Sequence, residues 1–235
     1  MNKKIGIIVF ARTSSKRLPN KIFQKISGIK LIDLVINRLK KIKIVKKNYE
    51  IVVNTSSNLK DDKIASYCLG RKIKFFRGSL NNVFLRTYQC LKKNKYKIFV
   101  RVNCDRPFVD VDIIKKMISL INNNEKLDII SNCVDRCPKG LSCEVSRPRI
   151  FFDNLKKIKK KGHKEHIFNY FYENKKKFNI LKYNDLLYQK NLNLNLSIDT
   201  KKDKKIINKI LNFFKKNYFI KTSDVLKKIE KIKLE

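Results

Sequence analysis

The chain lacks tryptophan and is poor in acidic residues, with 20 Asp and Glu against 57 Lys and Arg among 235 residues. A formal net charge of +37 attracts nucleic acid, anionic membranes and phosphorylated metabolites. Lysine greatly outnumbers arginine, however, and abundant Lys, Asn and Ile without Trp is the composition that codons rich in A and T produce. Lysines also recur where predicted helices face water, as in 156–161 and 201–205. We therefore interpret the charge as a solvated surface and expect no specific nucleic-acid partner.

Long apolar runs are also missing, and none approaches the roughly 18 residues that a membrane-spanning helix needs. The apolar stretch 5–11 follows a basic start, as in a signal peptide, but it stops at Arg12 without a small-residue cleavage site. We expect a cytoplasmic protein with no membrane partner. The length suits one large α/β domain, and 43% hydrophobic residues suffice for a sizeable core.

The six cysteines include no C-x2-C pair. Cys133, Cys137 and Cys143 lie close together in sequence, with His163 and His166 downstream, but this spacing matches no standard zinc site. Because the chain has no secretory features, we expect ordinary buried thiols in the reduced state rather than a metal centre.

Short apolar runs alternate with amphipathic stretches from the first residues onward. Strands are predicted at 5–11, 50–55, 72–76, 97–102 and 127–132. Helices are predicted at 31–42, at 61–69 with Gly70 as C-cap, at 82–93 and from Asp110 onward. The alternation predicts parallel β-α-β units in a mostly parallel sheet that is covered by helices on both faces. Because ligands bind beyond the carboxyl ends of such strands, functional residues are expected at 12–21, 55–57, 77–79 and 103–107.

The alternation breaks after Cys137. The segment 138–183 is predicted to contain a strand at 142–146, helices at 151–161 and 165–173, and a strand at 178–183. We interpret this segment as an arm or small subdomain within a single domain that spans residues 1–235. The chain then returns as a predicted strand at 194–199, after which Thr200 and Asp203 form a capping box. A last helix is predicted to begin near Ser223.

The loop after the first strand, ARTSSKRLPNK at 11–21, combines hydroxyl side chains with four cations, Arg12, Lys16, Arg17 and Lys21. Cations and backbone amides at this place suit a triphosphate, whose charge must be held and oriented. The loop is not a Walker A loop, because the glycines of G-x-x-x-x-G-K-[ST] are missing. Its composition alone is equally compatible with an ordinary basic turn.

This loop is similar to the ARxxSxRLPGK signature of the sugar-activating cytidylyltransferases, which include the Kdo and acylneuraminate enzymes and the spore-coat polysaccharide F-type proteins. One position differs, since Asn20 replaces the usual Gly, and Asn tolerates left-handed backbone. Further stretches resemble the family in the same order. They are FFRGSLNNVFLRTYQ at 75–89, VRVNCDRPFVD at 100–110, CPKGLSCEV at 137–145, KEHIFNYFYENKKKF at 164–178, LSIDTKKD at 196–203 and YFIKTSDVL at 218–226.

The resemblance implies a nucleotidyltransferase of Rossmann-like glycosyltransferase-A fold that transfers CMP from CTP to a Kdo-like or nonulosonate-like sugar acid in cell-surface polysaccharide biosynthesis. The sugar hydroxyl would attack the α-phosphorus and release pyrophosphate, which requires charge neutralisation and in-line positioning more than covalent catalysis. By this resemblance Arg12 and Lys21 are the catalytic residues. The implied nucleotide-binding residues are Ala11, Arg12, Ser15, Arg17, Lys21, Thr55, Arg77, Arg86 and Asn103.

The resemblance also implies Mg²⁺ as cofactor, with Asp105 and Asp199 as its ligands. Each aspartate ends a predicted strand, so the two carboxylates are expected to converge at one sheet edge and offer the oxygen ligands that Mg²⁺ prefers. Glu144, Glu165 and His166 are assigned to the sugar pocket, and a structural role at a helix end is an equal alternative for Glu165 and His166. The related synthetases imply a homodimer formed through 138–183.

Four further residues depart from the family pattern: Asn81 and Asn82 replace an acidic pair, Cys104 replaces a Gly, and Ser142 replaces an Asp. These changes leave open how the nucleotide is positioned, which sugar is activated and whether activity is partly lost. A glycosyltransferase of the same fold is the enzymatic alternative, but NCDRP offers a single aspartate instead of a D-x-D motif. A basic nucleic-acid-binding protein is the non-enzymatic alternative, and no recognisable binding motif supports it.

Overall fold

The structure is a computed structural model that describes residues 5–15, 17–42, 49–133 and 137–232. Lys16, one of the cations of the first loop, lies outside the described residues. The strands are β1 (Ile5–Phe10), β2 (Lys25–Ile26), β3 (Ile29–Lys30), β4 (Tyr49–Ser56), β5 (Lys74–Gly78), β6 (Ile98–Asn103), β7 (Ile129–Ser131), β8 (Glu144–Ser146) and β9 (Ile180–Lys182). The helices are α1 (Leu31–Leu39), α2 (Asp62–Gly70), α3 (Val83–Asn94), α4 (Val111–Asn123), α5 (Arg149–Asn154), α6 (Lys161–Glu165), α7 (Asn169–Glu173), α8 (Leu186–Lys190), α9 (Lys201–Phe213) and α10 (Thr222–Lys228). None of the described helices is both long and apolar enough to cross a membrane.

Seven strands form one sheet in the order β5-β4-β1-β6-β8-β7-β9. β5, β4, β1 and β6 run parallel to one another, β8 runs antiparallel to both of its neighbours, and β9 pairs in parallel with β7. The mostly parallel α/β sheet predicted from the sequence is therefore confirmed. β8 and β9 come from the segment 138–183, so the strands of this segment extend the main sheet.

Side chains alternate between the two faces of the sheet, and each face has its own core. On one face Ile7 and Val9 of β1 belong to a cluster with Val35 of α1 and Ile114 of α4. On the other face Ile8 packs in a second cluster with residues of α3, α5 and α7. Because both faces are buried, β1 at the centre of the sheet is a continuous apolar run, IGIIVF, without polar alternation.

The second core is built largely from phenylalanines. Phe151 stacks on Phe84 of α3 with ring centroids 4.6 Å apart and meets Phe99 of β6 edge-on at 5.1 Å. Phe168 and Phe171 complete the cluster through further ring contacts. These aromatic contacts fix the helical segment 149–173 against the sheet, and so they set the position of the α6–α7 connection at the sheet's carboxyl edge.

The predicted strand at 194–199 is wrong as a strand of the sheet. The apolar residues Leu196 and Ile198 are buried as expected. The segment nevertheless runs beside 138–140, where the Leu196 N–H donates to the Lys139 carbonyl at 2.7 Å. Gly140 makes this approach possible, because it adopts φ 96° and a Cβ there would lie 2.4 Å from the backbone carbon of Leu196. The apolar run predicted burial correctly but not its pairing partner.

The predicted helices at 151–161 and 165–173 are wrong in extent. α5 ends at Asn154, whose side-chain amide donates to the Ile150 carbonyl at 2.9 Å, and a 3-10 turn at Leu155–Lys157 follows. Such local side-chain bonds compete with continuation of a helix. The second predicted helix is divided between α6 and α7, which are separated at His166–Phe168. The predicted C-cap of α2 is also wrong by one residue. Gly70 is the last residue of the helix, and Arg71 is its C-cap.

The expectation of reduced thiols is wrong for two of the cysteines. Cys133 and Cys137 form a disulfide with their Cα atoms 5.2 Å apart, a separation that a disulfide readily spans. The other cysteines, Cys68, Cys90, Cys104 and Cys143, are free and buried.

Candidate active site

A cavity of about 470 Å³ opens at the carboxyl edge of the sheet, beyond the ends of β1 and β6. This is the place at which parallel α/β sheets bind ligands. The first loop, the start of α3 and the α6–α7 connection form its walls. The predicted site residues that line the cavity are Ala11, Arg12, Ser15, Arg17, Lys21, Arg86, Asn103, Asp105, Glu165, His166 and Asp199.

The first loop is fixed to the sheet by Asp61, which is 1% exposed. Its Oδ1 accepts hydrogen bonds from the Thr13 backbone N–H at 2.8 Å and the Thr13 hydroxyl at 2.7 Å, and its Oδ2 accepts from Ser56 at the end of β4. Burial alone would raise the pKa of Asp61, but the bonds from Ser56 and Thr13 outweigh it and lower that pKa. A charged carboxylate therefore holds the loop in place.

Lys21 stands at the end of this loop, immediately after Asn20. Asn20 adopts φ 51° and ψ 31°, so the left-handed backbone expected at this Gly replacement is confirmed. The Lys21 Nζ donates to Asp105 Oδ2 at 2.6 Å and to Asp199 Oδ1 at 3.0 Å. Two carboxylates far apart in sequence thus meet at one ammonium group. The role of the two aspartates as Mg²⁺ ligands stays a prediction.

Asp199 is surrounded by positive charge. Its Oδ2 lies 2.8 Å from Lys139 Nζ and 3.5 Å from Arg17 Nη2. Burial alone would raise the pKa of Asp199, but the bonds from Lys139 and Lys21 lower that pKa to about 2. Conversely, burial alone would lower the pKa of Lys21, and the charges of Asp105 and Asp199 raise that pKa above its ordinary value. Asp199 and Lys21 are therefore both charged at neutral pH.

Arg86 of α3 brings a buried cation to the same cavity. It is 3% exposed, and its Nη1 donates to the Ser79 carbonyl at 3.1 Å. Its Nε has no hydrogen-bond partner in the described structure. Burial lowers the pKa of Arg86 to about 10, which still leaves the guanidinium charged at neutral pH. A buried guanidinium with an unused donor is suited to an anionic ligand.

Three predicted site residues lie outside the cavity lining. Thr55 is fully buried in β4. Arg77 turns its guanidinium to Asp62 Oδ1, at 2.5 Å, and to the Ser56 carbonyl, at 3.0 Å. Glu144 is buried in β8, and its Oε2 accepts from Arg101 Nη1 at 2.9 Å. Existing partners hold the Arg77 and Glu144 side chains away from the cavity, whereas Thr55 is kept from it by its burial within the sheet, where its hydroxyl has no hydrogen-bond partner among the described residues.

Glu165 and His166 lie both at a helix end and at the cavity. α6 ends at Glu165, and the His166 N–H caps it by donating to the Gly162 carbonyl. The Glu165 carboxylate meets Arg12 across the cavity mouth at 3.5 Å, with both side chains about half exposed. A sugar-pocket role and a structural role at the helix end are therefore compatible for Glu165 and His166 in the structure.

Two of the departures from the family pattern have clear positions. Asn82 is the N-cap of α3, since its Oδ1 accepts from the Leu85 N–H at 2.9 Å. Cys104 lines the cavity beside Asp105, and its thiol is buried. The substitution at position 82 therefore keeps the helix start, and the substitution at 104 changes the cavity wall.

Lys139 and Arg101 are site residues that the sequence patterns do not indicate. Lys139 lies in the CPKGLSCEV stretch and contacts Asp199, and Arg101 lies in the VRVNCD stretch and lines the cavity. Both stretches were singled out, yet nothing in the local sequence indicates the partner of either cation. The loop anchor of Thr13 and Asp61 was missed for the same reason.

The mostly parallel sheet with its helices is an α/β nucleotidyltransferase fold. A family model described as cytidylyltransferase matches residues 6–235. The chain belongs to the cytidylyltransferase family, and the resemblance inferred from its motifs is confirmed.

Two relatives and one solved structure show how far the similarity extends. The chain is 33% identical to an uncharacterized protein of Methanocaldococcus jannaschii, with 93% of each chain covered. It is 27% identical to the spore coat polysaccharide biosynthesis protein SpsF of Bacillus subtilis, over 63% of this chain and 61% of that protein. A cytidylyltransferase from Leptospira borgpetersenii has a similar structure, with a TM-score of 0.87 and 25% identity, over 98% of this chain and 95% of that one.

Proposed function

We propose that this protein transfers CMP from CTP to a sugar acid, releases pyrophosphate and serves cell-surface polysaccharide biosynthesis. The observation that carries the proposal is the contact of Lys21 with both Asp105 and Asp199 at the bottom of a cavity lined by further cations. Membership of the cytidylyltransferase family supports CTP as the nucleotide. The similarity to a spore coat polysaccharide biosynthesis protein supports a sugar as the acceptor.

In this reaction the acceptor hydroxyl attacks the α-phosphorus in line with the leaving group. A new bond forms between that oxygen and phosphorus while the hydroxyl proton is released to solvent, the bond to the bridging oxygen breaks, and pyrophosphate leaves with the electron pair. Negative charge grows on the leaving group in the transition state, so cations aimed at it lower the barrier more than they strengthen substrate binding. Arg12, Lys21 and Arg86 are among the cations that line the cavity and are available for this role.

The carboxylate pair fits a magnesium ion. Asp105 and Asp199 already bind one cation together, and their oxygens are the hard ligands that Mg²⁺ prefers. The described residues contain no cluster of three or more His, Cys, Asp and Glu side chains that could hold a metal ion. Mg²⁺ commonly uses one or two carboxylates together with substrate phosphates, so the pair suffices. Asp105 and Asp199 would hold the ion, which would neutralise and orient the phosphates when bound.

The proposed sugar pocket lies at the cavity wall that the α6–α7 connection forms. Glu165 and His166 lie there as hydrogen-bonding groups for sugar hydroxyls, and Arg12 faces Glu165. Arg101 reaches the cavity from β6 while its Nη1 donates to Glu144 Oε2 at 2.9 Å, and an acidic sugar would approach the guanidinium of this ion pair. An anionic acceptor suits this lining better than a cationic one.

A pyrophosphate-release screen tests the proposal. Each of the four ribonucleoside triphosphates is combined with a panel of sugar acids and neutral sugars in the presence of Mg²⁺, and the sugar nucleotide is identified by mass. The proposal expects release with CTP and at least one sugar acid, with a CMP-sugar as product. Turnover of a neutral sugar with another nucleotide, and none with CTP, would contradict it.

A further inference from the structure

We propose that in the nucleotide-free protein the ammonium group of Lys21 occupies the place between Asp105 and Asp199 at which the divalent cation binds. The nucleotide would draw Lys21 onto its phosphates, and the cation would then take the vacated place. This inference rests on the proposed function, because it takes the two aspartates as the ligands of the cation.

The distances make the two occupants mutually exclusive. Lys21 Nζ lies 2.6 Å from Asp105 Oδ2 and 3.0 Å from Asp199 Oδ1. Mg²⁺ holds its oxygen ligands at about 2.0–2.1 Å, so an ion bound by these two oxygens on the side that Lys21 occupies would overlap the position of the nitrogen. Two cations at this separation would also repel each other strongly in a partly buried site.

The second oxygen of Asp199 offers no free alternative, because Lys139 contacts it at 2.8 Å. Arg17 lies 3.5 Å from that oxygen as well. Both oxygens of this carboxylate therefore already face side-chain cations in the free protein. A divalent cation would have to displace at least one of them before it reached Asp199.

Lys21 is able to leave without breaking the fold. Its side chain is 14% exposed and opens to the cavity that the triphosphate would fill. A lysine is a compact charge on a flexible stem, so it can turn from carboxylates to phosphate oxygens while the loop stays in place. The loop itself is anchored through Thr13 and Asp61, which Lys21 does not contact.

Binding of Mn²⁺ to the nucleotide-free protein, followed by electron paramagnetic resonance of the free ion, tests this exchange. Lys21→Met removes the charge and keeps the length of the side chain, and we expect its affinity for Mn²⁺ to exceed that of the unaltered protein by at least about tenfold. Lys139→Met is the matched control, because it removes a cation from the same Asp199 without emptying the place between the carboxylates. The gain in Lys139→Met should be clearly smaller.

Adding Asp105→Asn to Lys21→Met should abolish the gain, which shows that the ion binds at the pair. Thermal unfolding checks that each variant is folded, and Lys21→Gln replaces Lys21→Met should the latter not fold. Unchanged Mn²⁺ affinity in Lys21→Met, or an equal gain in Lys139→Met, would overturn the exchange. If the unaltered protein still forms a CMP-sugar, such a result contradicts the exchange alone. A gain of Mn²⁺ affinity in Lys21→Met, together with no CTP turnover by the unaltered protein, contradicts the proposed function and leaves the exchange standing.

Discussion

The two walls of the cavity are held in place by very different interactions. On the nucleotide side, the first loop is tied to the sheet by a buried carboxylate, Asp61, which accepts three hydrogen bonds from Thr13 and Ser56. On the sugar side, the α6–α7 connection meets the first loop through Arg12 and Glu165, which are about half exposed and 3.5 Å apart. The nucleotide wall is therefore preorganised for charge by a buried carboxylate, whereas the sugar wall is fixed by aromatic packing and meets the nucleotide wall through a half-exposed ion pair.

This difference assigns different consequences to changes on each side. Electrostatic groups on a preorganised wall act on the transition state, so their loss should reduce kcat. Groups on the sugar wall should act mainly on acceptor binding.

The largest effect is expected at the carboxylate pair. Asp105→Asn or Asp199→Asn should reduce pyrophosphate release by more than about 10³-fold while the thermal unfolding transition stays cooperative, because the charge that holds the cation is lost. Asp153→Asn, at an exposed aspartate of α5, is the matched control and should leave turnover unchanged. Substantial turnover in either carboxylate variant would remove the pair from the mechanism.

The next largest effect is expected at Lys21. Lys21→Ala should lower kcat by about 10²–10³-fold, because a charge-assisted contact that strengthens as pyrophosphate leaves is removed. Lys21→Arg should recover part of this loss at most, since a planar fork does not replace a compact ammonium group. Steady-state kinetics with Lys25→Ala, at an exposed lysine outside the cavity lining, provides the control. Near-normal rates in Lys21→Ala would mean that the first loop is an ordinary basic turn.

Asp61, which anchors the first loop, should contribute to the free energy of unfolding. Asp61→Ala leaves the buried donors of Thr13 and Ser56 without an acceptor, and we expect a loss of about 3 kcal/mol in the free energy of unfolding. Asp62→Ala removes the neighbouring carboxylate, which makes a partly exposed ion pair with Arg77, and should cost about 0–1 kcal/mol. Urea denaturation of both variants measures the difference. Equal losses would show that the loop does not depend on Asp61.

The folded protein should lose stability in acid because Asp199 becomes protonated. The pKa of Asp199 lies at about 2 in the folded protein against an ordinary value of 3.8. A carboxyl group with a lowered pKa stabilises the folded state fully above its ordinary pKa, and this contribution is lost as the pH falls towards the folded value. The denaturation midpoint should therefore decrease between about pH 4 and pH 2, and less steeply in Asp199→Asn. An identical decrease in that variant would assign the acid sensitivity to other groups.

The smallest effect is expected on the sugar wall. Glu165→Gln should leave stability almost unchanged, because exposed ion pairs contribute about 0–1 kcal/mol. It should raise KM for the acceptor several-fold while KM for CTP stays the same. Initial-rate measurements with each substrate varied in turn separate the two constants. A change confined to CTP would place Glu165 with the nucleotide and remove the contrast between the walls.

Much of the fold is predictable from local patterns. The apolar runs of β1, β4 and β6 and the helical periodicity of α1 and α3 are short-range signals, and the structure contains these elements close to the predicted bounds. The capping box is equally local. Thr200 Oγ1 accepts from the Asp203 N–H at 3.1 Å, and the Asp203 carboxylate accepts from the Thr200 N–H at 2.8 Å. Such interactions depend on residues a few positions apart, which a sequence displays directly.

The remaining features depend on partners that are distant in sequence. Asp61 and Thr13 are 48 positions apart, and the segment 194–199 is buried beside 138–140 instead of in the sheet. Apolar content predicted that Leu196 would be buried, but no periodicity states which backbone lies beside it. The same holds for the site. The motifs predict Lys21, Asp105 and Asp199 as site residues, whereas the contact of Lys139 with Asp199 is visible only in the three-dimensional structure.

Labelling the phosphorus atoms of CTP tests directly whether the protein transfers CMP to the sugar acid. The protein is incubated with the sugar acid that the screen identifies and with CTP labelled at either the α- or the γ-phosphorus, and the products are separated by chromatography. Attack at the α-phosphorus predicts that the α-label appears in the sugar nucleotide and the γ-label in pyrophosphate. Transfer of the γ-label to the sugar, or an α-label that ends in free CMP alone, would contradict the account.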